Sequence, residues 1–322
     1  MHYRPLGATG LDVSEVGYGA WGIGRSQWIG ASDDESLRAL ERAIDLGLTF
    51  IDTALAYGNG HSERLVGQVV RRRPERVVVA TKVPPKNGIW PAPAGIHADE
   101  AFPGDHVRAC TERSLSNLGL DVIDVQQLHV WSDEWVGQGD WLETIQALKD
   151  EGKIRAFGVS INDHQPSNAL KLIDSGVVDT VQVIYNVFDQ SPEGELLAVC
   201  RERDIGVLAR VPFDEGALTG RIGPDTEFPE GDFRAAYFRG DRRQQVAEHV
   251  QALLDDLGIE RDELPEVALR YVLSHPAVST VIPGMRTIRN VERNAPVGDG
   301  KGLPGDVLAK LKAHRWDRNF YA

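Results

Sequence analysis

The chain has 322 residues, is 42% hydrophobic and 26% charged, and carries a formal net charge of −13. The length suits one α/β barrel of roughly 250 residues plus insertions, and the composition allows an ordinary buried core. So acidic a surface repels phosphate backbones and anionic membranes, which excludes nucleic acid and membrane as expected partners and otherwise reads as solubility. Cys110 and Cys200 have neither CxxC spacing nor a histidine cluster beside them, so no disulfide framework and no metal site are expected. No signal-like apolar segment follows the start, and no apolar run approaches the roughly 20 residues of a membrane span; a cytoplasmic protein is expected.

In chain order, 3–6 and 11–16 flank a Gly-Ala-Thr-Gly spacer and read as a hairpin. Eight apolar runs, mostly rich in β-branched residues, then follow at 16–19, 49–52, 77–81, 122–128, 156–160, 178–184, 206–209 and 278–282. Helical patterns lie between them. Ser32 to Glu35 reads as a capping box opening a Leu37, Leu40, Ile44 stripe that stops at Gly47. Further helices are predicted at 62–72, 103–118, 141–151, 166–175, 193–203, 243–257, 262–274 and 287–294. Strands that are apolar on both faces and alternate with helices form a parallel sheet. Eight such repeats point to a closed (β/α)8 barrel, expected as a single domain over 1–322, with its N-terminal hairpin outside the repeat. Long irregular stretches at 84–102 and 212–240 follow the third and seventh strands, where barrel active-site loops belong.

The strand ends carry the chemistry. Asp52 ends strand two, Lys82 ends strand three, His129 ends strand four, and Tyr57 follows a few residues past Asp52. Adjacent parallel strands lie about 4.8 Å apart, so these side chains can meet at one mouth of the barrel. Hydride delivery to a carbonyl carbon leaves charge on oxygen, and a tyrosine can supply the proton. A neighbouring cation lowers the phenol's pKa from about 10. Lys82 is the expected cation, held by Asp52, and His129 is the expected donor that orients the substrate oxygen.

These residues sit in segments that resemble the aldo-keto reductase superfamily. The run from Phe50 to Gly58 with His61 to Gly67 resembles its Asp/Tyr signature, and 80–83 resembles its lysine strand. The histidine strand is matched by 114–129. Further similarity runs through 152–160, 182–186, 218–220 and 281–284, in the family's order and over nearly the whole chain. The resemblance implies a (β/α)8 fold, reduction of an aldehyde or ketone, and a catalytic tetrad of Asp52, Tyr57, Lys82 and His129.

A literal GxGxxG stands at Gly17 to Gly22, but it runs on into residues without helical period, so it reads as strand one and its loop rather than a Rossmann turn. The resemblance instead implies a nicotinamide site with Gly19, Ala20, Trp21 and Asp52 near the ribose and substrate. Ser160, Asn162 and Gln182 are then expected at the carboxamide, with Ile161 standing where many members have asparagine. Pro212, Phe213, Gly216 and Leu218 would line the loop after strand seven. Arg210 replaces the aromatic residue that stacks on the ring in many members. A guanidinium can also stack and would favour the neutral reduced ring; a phosphate contact or a salt bridge are the alternatives. Gly284, Arg286, Asn290 and Asn294 would hold the adenosine end. Arg286 is placed to pair with a 2′-phosphate, so NADPH is expected over NADH.

Trp21, Trp90, Trp131 and Phe213 are expected on the catalytic face, with Trp28 and Trp135 beside them, as aromatic walls for a carbonyl substrate with apolar or sugar-ring surface. Monomers and oligomers both fit. Rival readings are a catalytically silent cofactor-sensing subunit of the same fold, a barrel lyase or hydrolase using Lys82 as nucleophile, and an open-sheet dehydrogenase.

Overall fold

The computed structural model describes residues 1–321. The hairpin forms as β1 (Tyr3–Pro5) against β2 (Asp12–Ser14), antiparallel. Eight parallel strands follow: β3 (Tyr18–Gly19), β4 (Phe50–Asp52), β5 (Val78–Val83), β6 (Ile123–Leu128), β7 (Ile154–Ser160), β8 (Thr180–Ile184), β9 (Gly206–Arg210) and β10 (Val278–Val281). They pair in sequence order from β3 to β10. Bridges Val16–Val281 and Gly19–Gly284, with the Gly17 N–H donating to Val281 O at 2.8 Å, join the last strand to the first. The sheet is therefore the closed (β/α)8 barrel, and no edge is left for an open-sheet dehydrogenase.

Alternation along each strand decides what fills the barrel. Phe50, Val78, Ala80, Val125, Ala156 and Leu208 form one buried cluster with Leu6 and Val13 of the hairpin, which plugs the N-terminal end. The intervening residues Ile51, Val79, Val159, Val181 and Val207 belong to a second cluster shared with the helices. Two residues beyond the interior apolar layer, the same inward face carries Asp52, Lys82, Gln127 and Arg210. Chemistry thus sits on top of a plugged apolar barrel, as a consequence of period-two alternation.

The helices follow the predicted stripes, from Asp33–Asp45, whose Ser32 Oγ accepts from the Glu35 N–H at 3.3 Å, to Ile288–Asn294, capped by Thr287. The predicted 166–175 helix shrinks to Leu170–Asp174. Asn168 is used elsewhere: its side chain donates to Trp131 O at 2.8 Å and accepts from the Asp133 N–H at 2.9 Å. Pro166 also disfavours the helical conformation of the residue before it. Short helices Ala98–Ala101 and Phe233–Tyr237 lie inside the two long loops, and a final helix, Gly305–Ala313, was not foreshadowed by the sequence pattern. Both cysteines are free thiols on helices. Among the described residues no helix is long and apolar enough to cross a membrane.

Candidate active site

Parallel register sets Asp52 beside Ala80, Lys82 beside Gln127, and Ser160 beside Gln182. The Lys82 ammonium, fully buried, donates to Asp52 Oδ2 at 2.6 Å, Thr53 O at 2.9 Å and Tyr57 Oη at 3.2 Å. Its three protons are thereby all used. The other Asp52 oxygen accepts from Gln182 Nε2 at 2.8 Å and Gln127 Nε2 at 3.2 Å. A buried ion pair is tolerated when its remaining lone pairs are satisfied in this way.

Tyr57 arrives on the loop after β4, and two glycines let that loop pack against the one after β3. Gly58 has φ +63°, and a Cβ there would lie 2.0 Å from Gly24 O, while a Cβ on Gly24 would lie 2.9 Å from Tyr57 backbone and side chain. Any side chain at either position displaces the phenol. The His129 ring packs edge-on against Tyr57, with centroids 5.6 Å apart, and against Trp90 at 4.5 Å. Its Nδ1 is buried without a hydrogen-bond partner among the described residues.

Electrostatics assign protonation states. Burial opposes the Lys82 charge, but Asp52 and Tyr57 outweigh it, so the ammonium pKa is raised and the group stays charged. Burial raises the Tyr57 pKa, and Lys82 offsets this only in part. This corrects the expectation of a net lowering: the desolvation cost of a phenolate exceeds the help of one cation already neutralised by Asp52. The Tyr57 phenol therefore keeps its proton. Burial, then Lys82 and Arg210, push His129 well below its ordinary value, so the imidazole is neutral. A histidine depressed in the folded state binds protons more readily when unfolded, so this group costs stability as pH falls below about 6.5. The ring-proton resonances of His129 are expected to stay flat between about pH 8 and about pH 6 in NMR spectra; a midpoint inside that window would contradict the burial argument.

A cavity of about 900 Å³ opens at this mouth, lined by Asp52, Tyr57 and His129 and extending to Gly284, Arg286, Asn290 and Asn294. That volume is near the upper end for ligand sites. Gly19, Trp21, Trp90, Ser160, Asn162, Gln182, Arg210, Pro212, Phe213 and Gly216 also line it. Four placements differ. Ala20 is fully buried and uses its backbone, the N–H donating to Asp52 O at 2.9 Å and the carbonyl accepting from Ser62 Oγ at 2.9 Å. Leu218 is buried in the core. Trp131 and Trp135 are not substrate walls: they pack edge-on at 5.7 Å within a cluster completed by Trp141 and Phe102. Their indole N–H groups donate to Asp133 and to Ile96 O. Both indoles are fully buried, and each polar N–H still finds a partner.

The amides have commitments too. Asn162 clamps the loop bearing Trp90, donating to Ala92 O and accepting from the Ala92 N–H, both at 3.1 Å. Arg210 takes the salt-bridge alternative, donating from Nη2 to Asp163 at 2.6 Å and to Ile161 O at 3.1 Å, with Nε buried and unpartnered among the described residues. Arg286 donates to Ile29 O at 2.8 Å, and burial together with nearby Arg234 depresses its pKa, the mark of a cation short of an anion. Residues not foreseen also line the cavity: Phe233, Arg234, Arg293, Glu215 and, from the chain's end, Tyr321. Trp21, Phe233 and Tyr321 make a continuous wall, with centroids 5.3 and 6.0 Å apart. The acid pair before Gly216 was a readable signal; the arrival of Tyr321 was not.

The residues present fit a nicotinamide dinucleotide. The cavity joins the Tyr57 phenol to a cationic end, open space surrounds Gly284, and a buried ring nitrogen of His129 and Nε of Arg210 have no partner among the described residues.

A closed barrel with a buried Lys–Asp pair gripping a tyrosine beside a neutral histidine defines an oxidoreductase-type site, and the comparisons identify its family. The model of the aldo/keto reductase family matches residues 15–315, and the chain belongs to that family of oxidoreductases. It is 30% identical to aldo-keto reductase YhdN of Bacillus subtilis over 295 residues, covering 89% of this chain and 85% of that one. It is 28% identical over 306 residues to the NADH-specific methylglyoxal reductase of Escherichia coli, with 91% and 92% covered. A holo aldo-keto reductase of Bacillus halodurans superposes with a TM-score of 0.77 at 25% identity, covering 98% and 96%. An aldo/keto reductase of Klebsiella pneumoniae in complex with NADP and acetate does so at 0.69 and 27% identity, covering 99% and 98%.

Proposed function

We propose that this protein reduces an aldehyde or ketone to an alcohol with NADPH, with Tyr57 as general acid. The observation that carries the reading is the Lys82 ammonium 3.2 Å from the Tyr57 hydroxyl, beside a neutral His129, in a cavity of about 900 Å³ whose lining also includes Arg286 and Asn294. When bound, the reduced nicotinamide supplies a hydride to the carbonyl carbon. His129 donates a hydrogen bond to the carbonyl oxygen and fixes its position. Tyr57 Oη passes its proton to that oxygen as charge develops. The tyrosinate left behind sits against Lys82, whose charge Asp52, Gln127 and Gln182 hold in place. Trp90 covers the histidine and keeps water from it. The same fully bonded, charged lysine argues against a lyase that uses Lys82 as nucleophile, since nucleophilic amines need a lowered pKa.

NADPH over NADH rests on Arg286, a partly buried cation with only a backbone oxygen as hydrogen-bond partner among the described residues. The NADH-specific relative shows that the family does not decide this. Arg286→Ala is expected to weaken NADPH by about tenfold or more, the worth of one charge-assisted contact, while NADH changes little. Quenching of tryptophan fluorescence by each cofactor reads this directly, and equal losses for both would refute the assignment. The aromatic wall suits a substrate with an apolar or sugar-ring face.

A further inference from the structure

Among the described residues, three carboxyl side chains line the cavity: Asp52, Asp163 and Glu215. Asp52 is paired with Lys82 and Asp163 with Arg210, each at 2.6 Å. Glu215 has a different partner, the hydroxyl of Tyr321, which donates to its Oε1 at 2.6 Å. Among the described residues no lysine or arginine pairs with it. Its backbone is held in the left-handed region, φ +55°, between Asp214 at +49° and Gly216 at +110°. A non-glycine residue stays there only when its surroundings insist. Here three side chains from elsewhere insist: Arg318 pairs with Asp214, Tyr237 Oη donates to Asp214 at 3.2 Å, and Tyr321 holds Glu215. A nearly buried acid is thus fixed in the cavity wall with a neutral partner.

We propose that Glu215 is a specificity-determining residue that couples dinucleotide binding to a proton: the cavity admits the phosphate-bearing ligand with Glu215 protonated and rejects it when Glu215 is ionised. This rests on the reading that a nicotinamide dinucleotide fills the cavity. Phosphates brought into that cavity place negative charge against Glu215 in a water-poor wall, where like charges repel strongly. The groups facing the acid set the pH range. Burial pushes its carboxyl up to about 7; Asp214 and Asp163 add to this, and the Tyr321 hydroxyl and Arg210 offset part of it. Arg318 and Tyr237 act on Asp214, and the His164 ring packs on Tyr321 while pairing with Asp189. Binding that selects the protonated form weakens as pH rises through that value and is fully favourable below it.

The test is the NADPH dissociation constant, read by tryptophan quenching across the pH range for the whole chain. From about pH 6 to about pH 9 the wild-type constant is expected to rise roughly fifty- to a hundredfold. Glu215→Gln, which keeps an acceptor for Tyr321, removes that rise. Tyr321→Phe removes a donor that favours the carboxylate, so it moves the rise to higher pH. The 2′-phosphate titrates near pH 6 and acts in the opposite sense, equally in all three proteins. Parallel pH curves for wild type and Glu215→Gln, with NADPH bound in both, would overturn this proposal alone. Absence of NADPH binding at every pH in every protein would overturn the dinucleotide reading and this inference with it.

Discussion

Replacing Tyr57 with phenylalanine is expected to lower kcat for carbonyl reduction by about a thousandfold, the usual worth of a positioned general acid, while NADPH binds nearly as before. The phenyl ring still packs against Trp21 and His129, so only the hydroxyl 3.2 Å from Lys82 is lost. The pH profile adds a second check. Because burial raises the Tyr57 pKa, the phenol keeps its proton through neutral and mildly alkaline conditions. The kcat for reduction should therefore show no alkaline limb below about pH 9. A variant that retained even a tenth of wild-type turnover would assign the proton to another group.

Replacing Lys82 with methionine should damage both fold and chemistry. It strips the ammonium from a buried carboxylate that, among the described residues, keeps two amide donors, Gln127 and Gln182. Removing one partner of a buried pair costs on the order of 3 to 5 kcal/mol, which urea unfolding followed by circular dichroism would detect. The Asp52→Asn, Lys82→Met double variant removes the uncompensated charge and should regain much of that stability without regaining turnover. The sign with pH follows from the raised Lys82 pKa: the pair's stabilisation is complete below the unfolded lysine's value of about 10.4 and is lost as pH rises through the folded one. Recovery of activity in the double variant would mean that Lys82 is structural only.

The barrel and the meeting of Asp52, Tyr57, Lys82 and His129 at its mouth could be read because both obey local rules. A strand packed on both faces shows itself as a short β-branched run, as at Val77 to Thr81. A polar residue at the end of such a run has only the mouth to face, as with Lys82 after Ala80. What could not be read depends on meetings between distant segments. Trp131 and Trp135 stand on mouth loops in sequence, yet turn into a shared core with Trp141 and Phe157. Tyr321 closes the cavity through a contact with Glu215 that spans 106 positions, and Arg318 reaches Asp214 across 104. Neither leaves a periodic trace. Arg210 stood out as a departure from the family's aromatic, but its choice of Asp163 as partner depended on how the loop after β7 packs.

The most direct test of the central claim is to follow reduced-nicotinamide absorbance when the purified protein is given NADPH, and separately NADH, with a panel of aldehydes, ketones and sugars. The site described above predicts turnover on some of them, faster with NADPH and abolished by Tyr57→Phe. Absence of turnover on every carbonyl, with NADPH still bound, would contradict catalysis by this tetrad and favour a cofactor-sensing role for the same fold.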